Sequence, residues 1–286
     1  MNPIRRIGVV GSGAMGAGIA EVSALAGMDV LVAVSREASL TTGRRRIGAS
    51  LDRAVAKGRL TQAERDAALE RVEFTMDLGE LADRQLVVEA VREDEMLKLD
   101  LFTTLDKVIE DPHAILASNT SSIPIMKLAG ATNRPAHVIG THFFNPVPAM
   151  SLVELVGSLH TSDETMHRAE EWVAGTLGKR PIRSKDRAGF VVNALLVPYL
   201  LSAVRMVETG FATVEDVDQG MVLGCSHPMG PLRLTDMVGL DVVAAVADAL
   251  YAEFKEPLYA APPLLSRMVE GGLLGRKTGR GFYSYQ

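Results

Sequence analysis

The chain has 286 residues, 47% of them hydrophobic, which is enough to bury one large core or two ordinary ones without staples. A net charge of −5 and a pI near 5.7 argue against a nucleic-acid-binding surface. The single cysteine, Cys225, excludes an internal disulfide, lacks zinc-type Cys/His spacing and reads as structural in a reducing compartment.

Met1 to Arg6 is too short for the apolar stretch of a signal peptide, so a cytoplasmic location is expected. Arg6 to Val10 reads as a short buried strand. Gly11, Gly13 and Gly16 follow at G-x-G-x-x-G spacing, with Ser12, Ala14 and Met15 between them, where strand gives way to helix. The first glycine permits a tight turn, the second lets a pyrophosphate approach bare backbone, and the third lets helix and strand pack closely. The N-terminus of that helix would face the phosphates. Val30 to Val34 supplies the next strand of a β-α-β unit of about 30 residues, which strengthens a dinucleotide reading.

An NAD-type site usually carries Asp or Glu at the end of this second strand, about 20 residues after the glycines, to accept from the ribose 2′-OH. Val34 stands there instead, followed by Ser35 and Arg36. A hydroxyl and a guanidinium suit a 2′-phosphate, so NADP(H) is favoured, with NAD(H) left open because Glu37 could serve as the ribose acceptor. Glu37 to Lys57 has helical composition. Within it Arg44, Arg45 and Arg46 read as a solvated face, with a phosphate pocket as the alternative.

Gly58 is a plausible C-cap, and Thr61 caps a helix through Leu69. Val72 to Thr75 and Gln85 to Val88 read as strands separated by a short acidic helix. Glu93 to Ile109 is a charged amphipathic helix, and His113 to Ala117 the strand after it. Val138 to Phe143 and Leu152 to Val156 are further strands, the second alternating and so expected at the sheet's edge. Ser162 to Leu177 is helical, and Arg180 to Ser184 is a last strand. Alternating strands and helices predict an α/β, Rossmann-like doubly wound sheet.

The pattern changes at Lys185-Asp186-Arg187-Ala188-Gly189. A first domain of residues 1–186 is therefore expected to precede a smaller, all-helical C-terminal domain of residues 187–286, broken by glycines and prolines. Its uncharged run from Ala188 to Val204 is only about 17 residues and holds Asn193 and Pro198, so a buried helix is expected rather than a membrane span. Burial on several sides in so small a domain points to a subunit interface.

Two stretches fall at the carboxyl edge of the sheet, where open α/β folds bind ligands: Ala117-Ser118-Asn119-Thr120-Ser121-Ser122, and Gly140-Thr141-His142-Phe143-Phe144-Asn145-Pro146. His142 is the best general base in the chain, because imidazole exchanges protons near neutral pH. Glu154, on the next strand, can accept from its far ring nitrogen and fix the tautomer. Each also has a plainer reading, as a satisfied core histidine and an exposed edge carboxylate. No cluster has metal-ligand spacing, so no metal is expected.

Together with Leu152-Val153-Glu154-Leu155-Val156, Gly189-Phe190-Val191-Val192-Asn193, His227-Pro228-Met229-Gly230-Pro231 and Gly279-Arg280-Gly281-Phe282-Tyr283, these motifs resemble the 3-hydroxyacyl-CoA dehydrogenase family, of the stand-alone 3-hydroxybutyryl-CoA dehydrogenase type. The match runs in order along nearly the whole chain. The resemblance implies NAD(P)-dependent interconversion of a 3-hydroxyacyl-CoA and a 3-oxoacyl-CoA. It implies His142 as catalytic base, Glu154 as its partner acid, Ser121 as a donor to the reacting oxygen or thioester carbonyl, and Asn193 as a group reaching in from the helical domain. Glu89, Lys98, Asn119, Asn145 and Lys277 match positions around the cofactor, while Arg53 and Lys57 are similar to cations that meet the CoA phosphates. A homodimer through the C-terminal domain is implied as well. A four-carbon substrate follows only from the match to short-chain enzymes. Two other functions share these residues: a Ser121-His142-Glu154 hydrolase, for which no G-x-S-x-G elbow is present, and a non-catalytic nucleotide-binding protein on the same fold.

Overall fold

The structure, a computed structural model, describes residues 3–285. The chain divides into two compact units, 1–186 and 187–286.

In the first unit β1 (Arg6–Val10), β2 (Asp29–Ala33), β3 (Val72–Thr75), β4 (Leu86–Glu89), β5 (Ile115–Ser118), β6 (Val138–Phe143), β7 (Leu152–Gly157) and β8 (Arg180–Lys185) form one sheet. Its order is β3-β2-β1-β4-β5-β6-β7-β8. From β3 across to β6 every pair is parallel; β7 runs antiparallel to β6, and β8 parallel to β7. The strands β4, β5 and β6 are buried at every position, so both faces of the sheet are covered and their sequences are near-continuous apolar runs. The chain starts in the middle, winds out to β3 and returns to place β4 beside β1. That reversal opens a crevice at the carboxyl ends of β1 and β4.

The helices of this unit are α1 (Ala14–Leu25), α2 (Glu37–Ala56), α3 (Gln62–Glu70), α4 (Glu95–Val108), α5 (Ile125–Gly130) and α6 (Asp163–Glu170), the last continued by a π-helical turn over Glu171–Thr176. Thr61 caps α3 as expected, in a reciprocal capping box with Glu64. Gly58 has the left-handed backbone, φ +66°, that a helix stop requires.

Three elements differ from their expected places. β7 is not an edge strand: it lies between β6 and β8, and β8 is the edge. The alternation in its sequence arises because its acidic residue, Glu154, is 0% exposed and faces His142, not water. The helix expected from Glu93 begins at Glu95, because the Asp94 side chain accepts from Leu97 N at 3.0 Å and caps it there. The apolar helix expected over Ala188 to Val204 begins at Val192. Gly189 and Phe190 have φ of +75° and +49°, so the chain turns before helix can start.

The second unit consists of α7 (Val192–Glu208), α8 (Val214–Cys225), α9 (Pro231–Val238), α10 (Leu240–Phe254) and α11 (Pro263–Glu270) around a core that includes Leu200, Leu232, Leu240 and Leu250. Two buried carboxylates tie its tail down. Asp218 accepts from Leu232 N (2.7 Å) and Arg233 N (2.9 Å) in the first turn of α9 and from the Tyr283 hydroxyl (2.9 Å). Asp236 accepts from Phe282 N, Tyr283 N and the Tyr285 hydroxyl, each at 2.9 Å. Burial, reinforced by these carboxylates, pushes both tyrosines up to about 12. Cys225, expected to be structural, is exposed at the end of α8. Among the described residues no helix is long and apolar enough to cross a membrane, and no group of side chains could hold a metal.

Candidate active site

The glycine turn connects β1 to α1 as its spacing requires. Gly11 has φ +105°, and a Cβ on Gly16 would lie 2.0 Å from the Gly11 carbonyl oxygen, so only glycine allows helix and strand to approach this closely. At Gly13 an added Cβ would meet nothing within 4 Å, leaving open space over bare backbone. Gly13 caps α1 without a side-chain bond and no acid stands in the first turn, so the N–H groups at this helix start are available to an anion. These features fit the pyrophosphate of a dinucleotide.

Two contacts brace the turn from α2. Arg46 Nη1 donates to Ser12 O at 2.6 Å, and Ser12 Oγ donates to Ser39 O at 2.9 Å. The arginine run is therefore not simply a solvated face, since Arg44 also lies 5.3 Å over the Phe74 ring. At the end of β2, Val34 is 7% exposed and packs into the core, offering no acceptor. Ser35, Arg36 and Glu37 are exposed, and Arg36 has no ion-pair partner among the described residues.

At the same edge of the sheet, β6 and β7 pair so that His142 and Glu154 are direct cross-strand neighbours. His142 is 5% exposed. Its Nδ1 lies 2.7 Å from Glu154 Oε2, and its Nε2 lies 3.3 Å from Ser121 Oγ. A carboxylate at Nδ1 holds the ring proton there, leaving Nε2 to accept from the serine hydroxyl or from a substrate hydroxyl in its place. The Phe144 ring packs against the imidazole, with centroids 4.6 Å apart.

Ser121 lies in the loop between β5 and α5. Glu93 Oε1 accepts from Ser121 N (3.1 Å), Ser122 N (3.2 Å), Ser122 Oγ (3.0 Å) and the Thr120 hydroxyl. Lys98, 1% exposed, donates to Glu93 Oε2 at 2.6 Å and sits 3.1 Å from Glu89 Oε2. Glu89 also accepts from Ser118 Oγ (2.6 Å) and Val91 N (2.7 Å). Burial pushes the Glu89 carboxyl up, against the pull of Lys98 and these donors. Burial acts the same way on Glu93, but Lys98 and the loop hydroxyls outweigh it and hold that carboxyl below the usual range.

Both halves of the chain match a single family. Residues 6–187 match the model described as 3-hydroxyacyl-CoA dehydrogenase, NAD binding domain, and residues 189–285 match its C-terminal domain. The chain belongs to the 3-hydroxyacyl-CoA dehydrogenase family. It is 62% identical over 282 residues to a 3-hydroxybutyryl-CoA dehydrogenase of Mycobacterium tuberculosis, covering 99% of each chain. Its backbone superposes on the crystal structure of M. tuberculosis FadB2 with a TM-score of 0.99 at 61% identity, each chain fully covered. The (S)-3-hydroxybutyryl-CoA dehydrogenase PaaH1 of Ralstonia eutropha gives a TM-score of 0.94 at 45% identity, with 99% of each chain covered.

In this 3-hydroxyacyl-CoA dehydrogenase family member only some of the residues singled out from sequence meet one another. Ser121, His142 and Glu154 meet directly, and Asn119 joins them to the edge by accepting from Phe143 N at 2.9 Å. Asn145 is exposed just beyond β6. Glu89 and Lys98 are 0% and 1% exposed, so they lie beneath the edge, with the bonds just described, and present almost no surface of their own. Arg53 and Lys57 are exposed cations at the end of α2. In the second unit Asn193 sits in the first turn of α7, and Lys277 is paired with Asp241 at 2.5 Å. Glu93 is a site residue that the sequence reading does not single out, and Arg46, weighed there only within a possible phosphate pocket, braces the glycine turn. A carboxylate five residues before Lys98 is the one local signal for Glu93, and it coincides with the start expected for the helix.

Proposed function

We propose that this protein interconverts a 3-hydroxyacyl-CoA, with 3-hydroxybutyryl-CoA as the preferred substrate, and the corresponding 3-oxoacyl-CoA. The observation that carries this reading is His142 Nε2 at the carboxyl edge of the sheet, backed by Glu154 at 2.7 Å and faced by Ser121 at 3.3 Å. Gly11 to Gly16 would hold the nicotinamide dinucleotide, with Asn119 and Asn145 beside it and Glu89 and Lys98 supporting the edge from below. When bound, that cofactor accepts the hydride from C3 on oxidation and returns it on reduction. His142 takes the hydroxyl proton on Nε2 in oxidation and gives it back in reduction. Glu154 stabilises the imidazolium and keeps the ring in one orientation. Ser121 Oγ donates to the reacting oxygen or the thioester carbonyl, with Asn193 as the second polar group of this reading, where negative charge develops. Arg53 and Lys57 are the cations assigned to the CoA phosphates, and Lys277 to the cofactor.

The Ser121-His142-Glu154 spacing is also that of a hydrolase triad. Against that use, the serine lies on a loop anchored by Glu93, not on a strand-to-helix elbow, and a hydrolase leaves the glycine turn without a purpose.

The preferred cofactor in this reading is NADP(H). Val34 offers no acceptor to a ribose 2′-OH, while exposed Ser35 and Arg36 can bind a 2′-phosphate through charge-assisted bonds. The test is a pair of initial rates for acetoacetyl-CoA reduction, with NADPH and with NADH, on wild type and Arg36→Ala. Faster turnover with NADPH, and a KM rise in the variant confined to NADPH, are expected. A wild-type preference for NADH overturns the cofactor choice, and no turnover with either overturns the activity.

The working form is proposed to be a homodimer through the C-terminal unit. Support comes from Leu195, Phe211 and Leu223, which are 74%, 77% and 79% exposed on that unit and would gain from a partner's surface.

A further inference from the structure

We infer that Lys179 is a positioning residue for the cofactor: its ammonium holds the loop between β6 and β7, residues 144–151, and through that loop fixes the position of Asn145. The inference rests on the cofactor role proposed above for Asn145.

β7 runs antiparallel to β6 and β8 parallel to β7, so the end of β6 and the starts of β7 and β8 all lie at the carboxyl edge of the sheet. The 144–151 loop follows His142 and Phe143 along that edge, outside regular secondary structure, so its backbone carbonyls need donors from elsewhere. Pro146 O is served within the loop, by Ala149 N (3.0 Å) and Met150 N (3.1 Å). Val147 O and Met150 O are not. Each accepts instead from Lys179 Nζ at 2.7 Å. An ammonium carries three donors, so one side chain can serve both carbonyls, and bonds from a charged donor are roughly twice as strong as neutral ones.

Lys179 is placed for this by its own backbone. Gly178, with φ +64°, turns the chain out of the π-helical turn that follows α6. Lys179 N then donates to Val173 O at 3.0 Å, and Arg180 N to Ser151 O at 2.7 Å. The Lys179 side chain is 9% exposed, and burial pulls its ammonium below the usual lysine range, with no carboxylate among the described residues to offset this. A buried cation without an acid carries a desolvation cost that a surface lysine escapes. Here its bonded partners are the two loop carbonyls.

The other side of the loop rests on the dinucleotide helix. Val147 is buried, and a Cβ on Gly18 of α1 would lie 2.8 Å from Val147 Cβ, so helix and loop touch directly. Lys179 thus holds the backbone of the same residue whose side chain packs on α1. Asn145 lies two residues before Val147 and one after Phe144, whose ring packs against His142. It sits between two fixed points.

The experiment measures the Kd of NADPH and of NADH by cofactor fluorescence, and KM for acetoacetyl-CoA, for wild type, Lys179→Met, Lys179→Arg, Asn145→Ala and the Lys179→Met/Asn145→Ala pair. Lys179→Met, which keeps the apolar stem and removes the donors, is expected to raise Kd for the preferred cofactor by about tenfold, the worth of one polar contact, as is Asn145→Ala. KM for acetoacetyl-CoA is expected to stay within about threefold of wild type. The pair is expected to bind no more weakly than the weaker single variant, as for residues acting through one group. Lys179→Arg, still a cationic donor, is expected to recover part of the affinity. Full additivity in the pair, or wild-type Kd in Lys179→Met, overturns the inference and leaves Lys179 a purely structural cation. Wild-type Kd in Asn145→Ala also overturns it, by removing the contact that Lys179 is held to position. Because Kd needs no turnover, failure of the proposed reaction leaves this comparison intact. Should Lys179→Met fail to fold, Lys179→Gln, with one amide donor in place of the ammonium, carries the same comparison.

Discussion

Asp106, near the end of α4, orders a stretch far from the active edge. It accepts from Asn133 N and Nδ2, both at 2.8 Å, and from Arg134 Nε at 2.8 Å. Burial opposes its charge, but the Asn133 and Arg134 bonds outweigh that and hold the carboxyl below the usual range. A carboxyl whose pKa is depressed by folding contributes stability that is present above its unfolded value of about 3.9 and lost as pH falls through the folded one. Asp106→Asn, which removes the charge while Arg134 keeps its bonds to the carbonyls of Asp106, Ile109 and Asp111, is expected to cost on the order of 1 to 2 kcal/mol at neutral pH. The gap in melting temperature from wild type should narrow as pH falls from about 5 towards 2, and a gap that stays constant would show that the charge is not responsible.

Single residues were legible where type and neighbours coincide. His142 and Glu154 stand on two successive strands, and Ser121 follows a third, so topology alone brings them to one edge. The bonds of Glu93 to the 120–122 loop and of Arg46 to Ser12 were not legible, because those partners are 27 to 29 and 34 residues away; the nearby Lys98 and the run of three arginines mark charge at these places without saying what it holds. Cys225, read as structural because it lacks zinc-type spacing, is exposed: the absence of a ligand pattern carries no information on burial.

For whole elements, periodicity served best where burial is complete. Runs such as Val138 to Phe143 are buried at every position and read as strands. It misled at β7, where the alternating polar position is a buried acid facing His142. The strand's place in the sheet depends on β8 pairing beside it, which no local pattern encodes. At α7 the apolar composition ran continuously from residue 188, but a positive φ at Gly189 and Phe190 delays the helix to Val192. A Cβ on Gly189 would also lie 2.9 Å from Ala194 N, so this glycine shapes the helix start. Glycine in an apolar run signals a break only when its backbone angle is known.

For the whole molecule, the C-terminal unit leaves Leu195, Phe211 and Leu223 mostly exposed, apolar surface that a partner copy would cover. Sedimentation at micromolar concentration is expected to give a homodimer, and a monomer would leave those side chains without the proposed cover. The proposed activity depends on proton transfer at His142. The direct measurement is acetoacetyl-CoA reduction by wild type and His142→Ala, at saturating reduced cofactor, alongside cofactor binding. The variant is expected to bind cofactor with nearly unchanged Kd while kcat falls by on the order of 10² to 10⁴-fold. Turnover near the wild-type rate in the histidine variant would contradict the account.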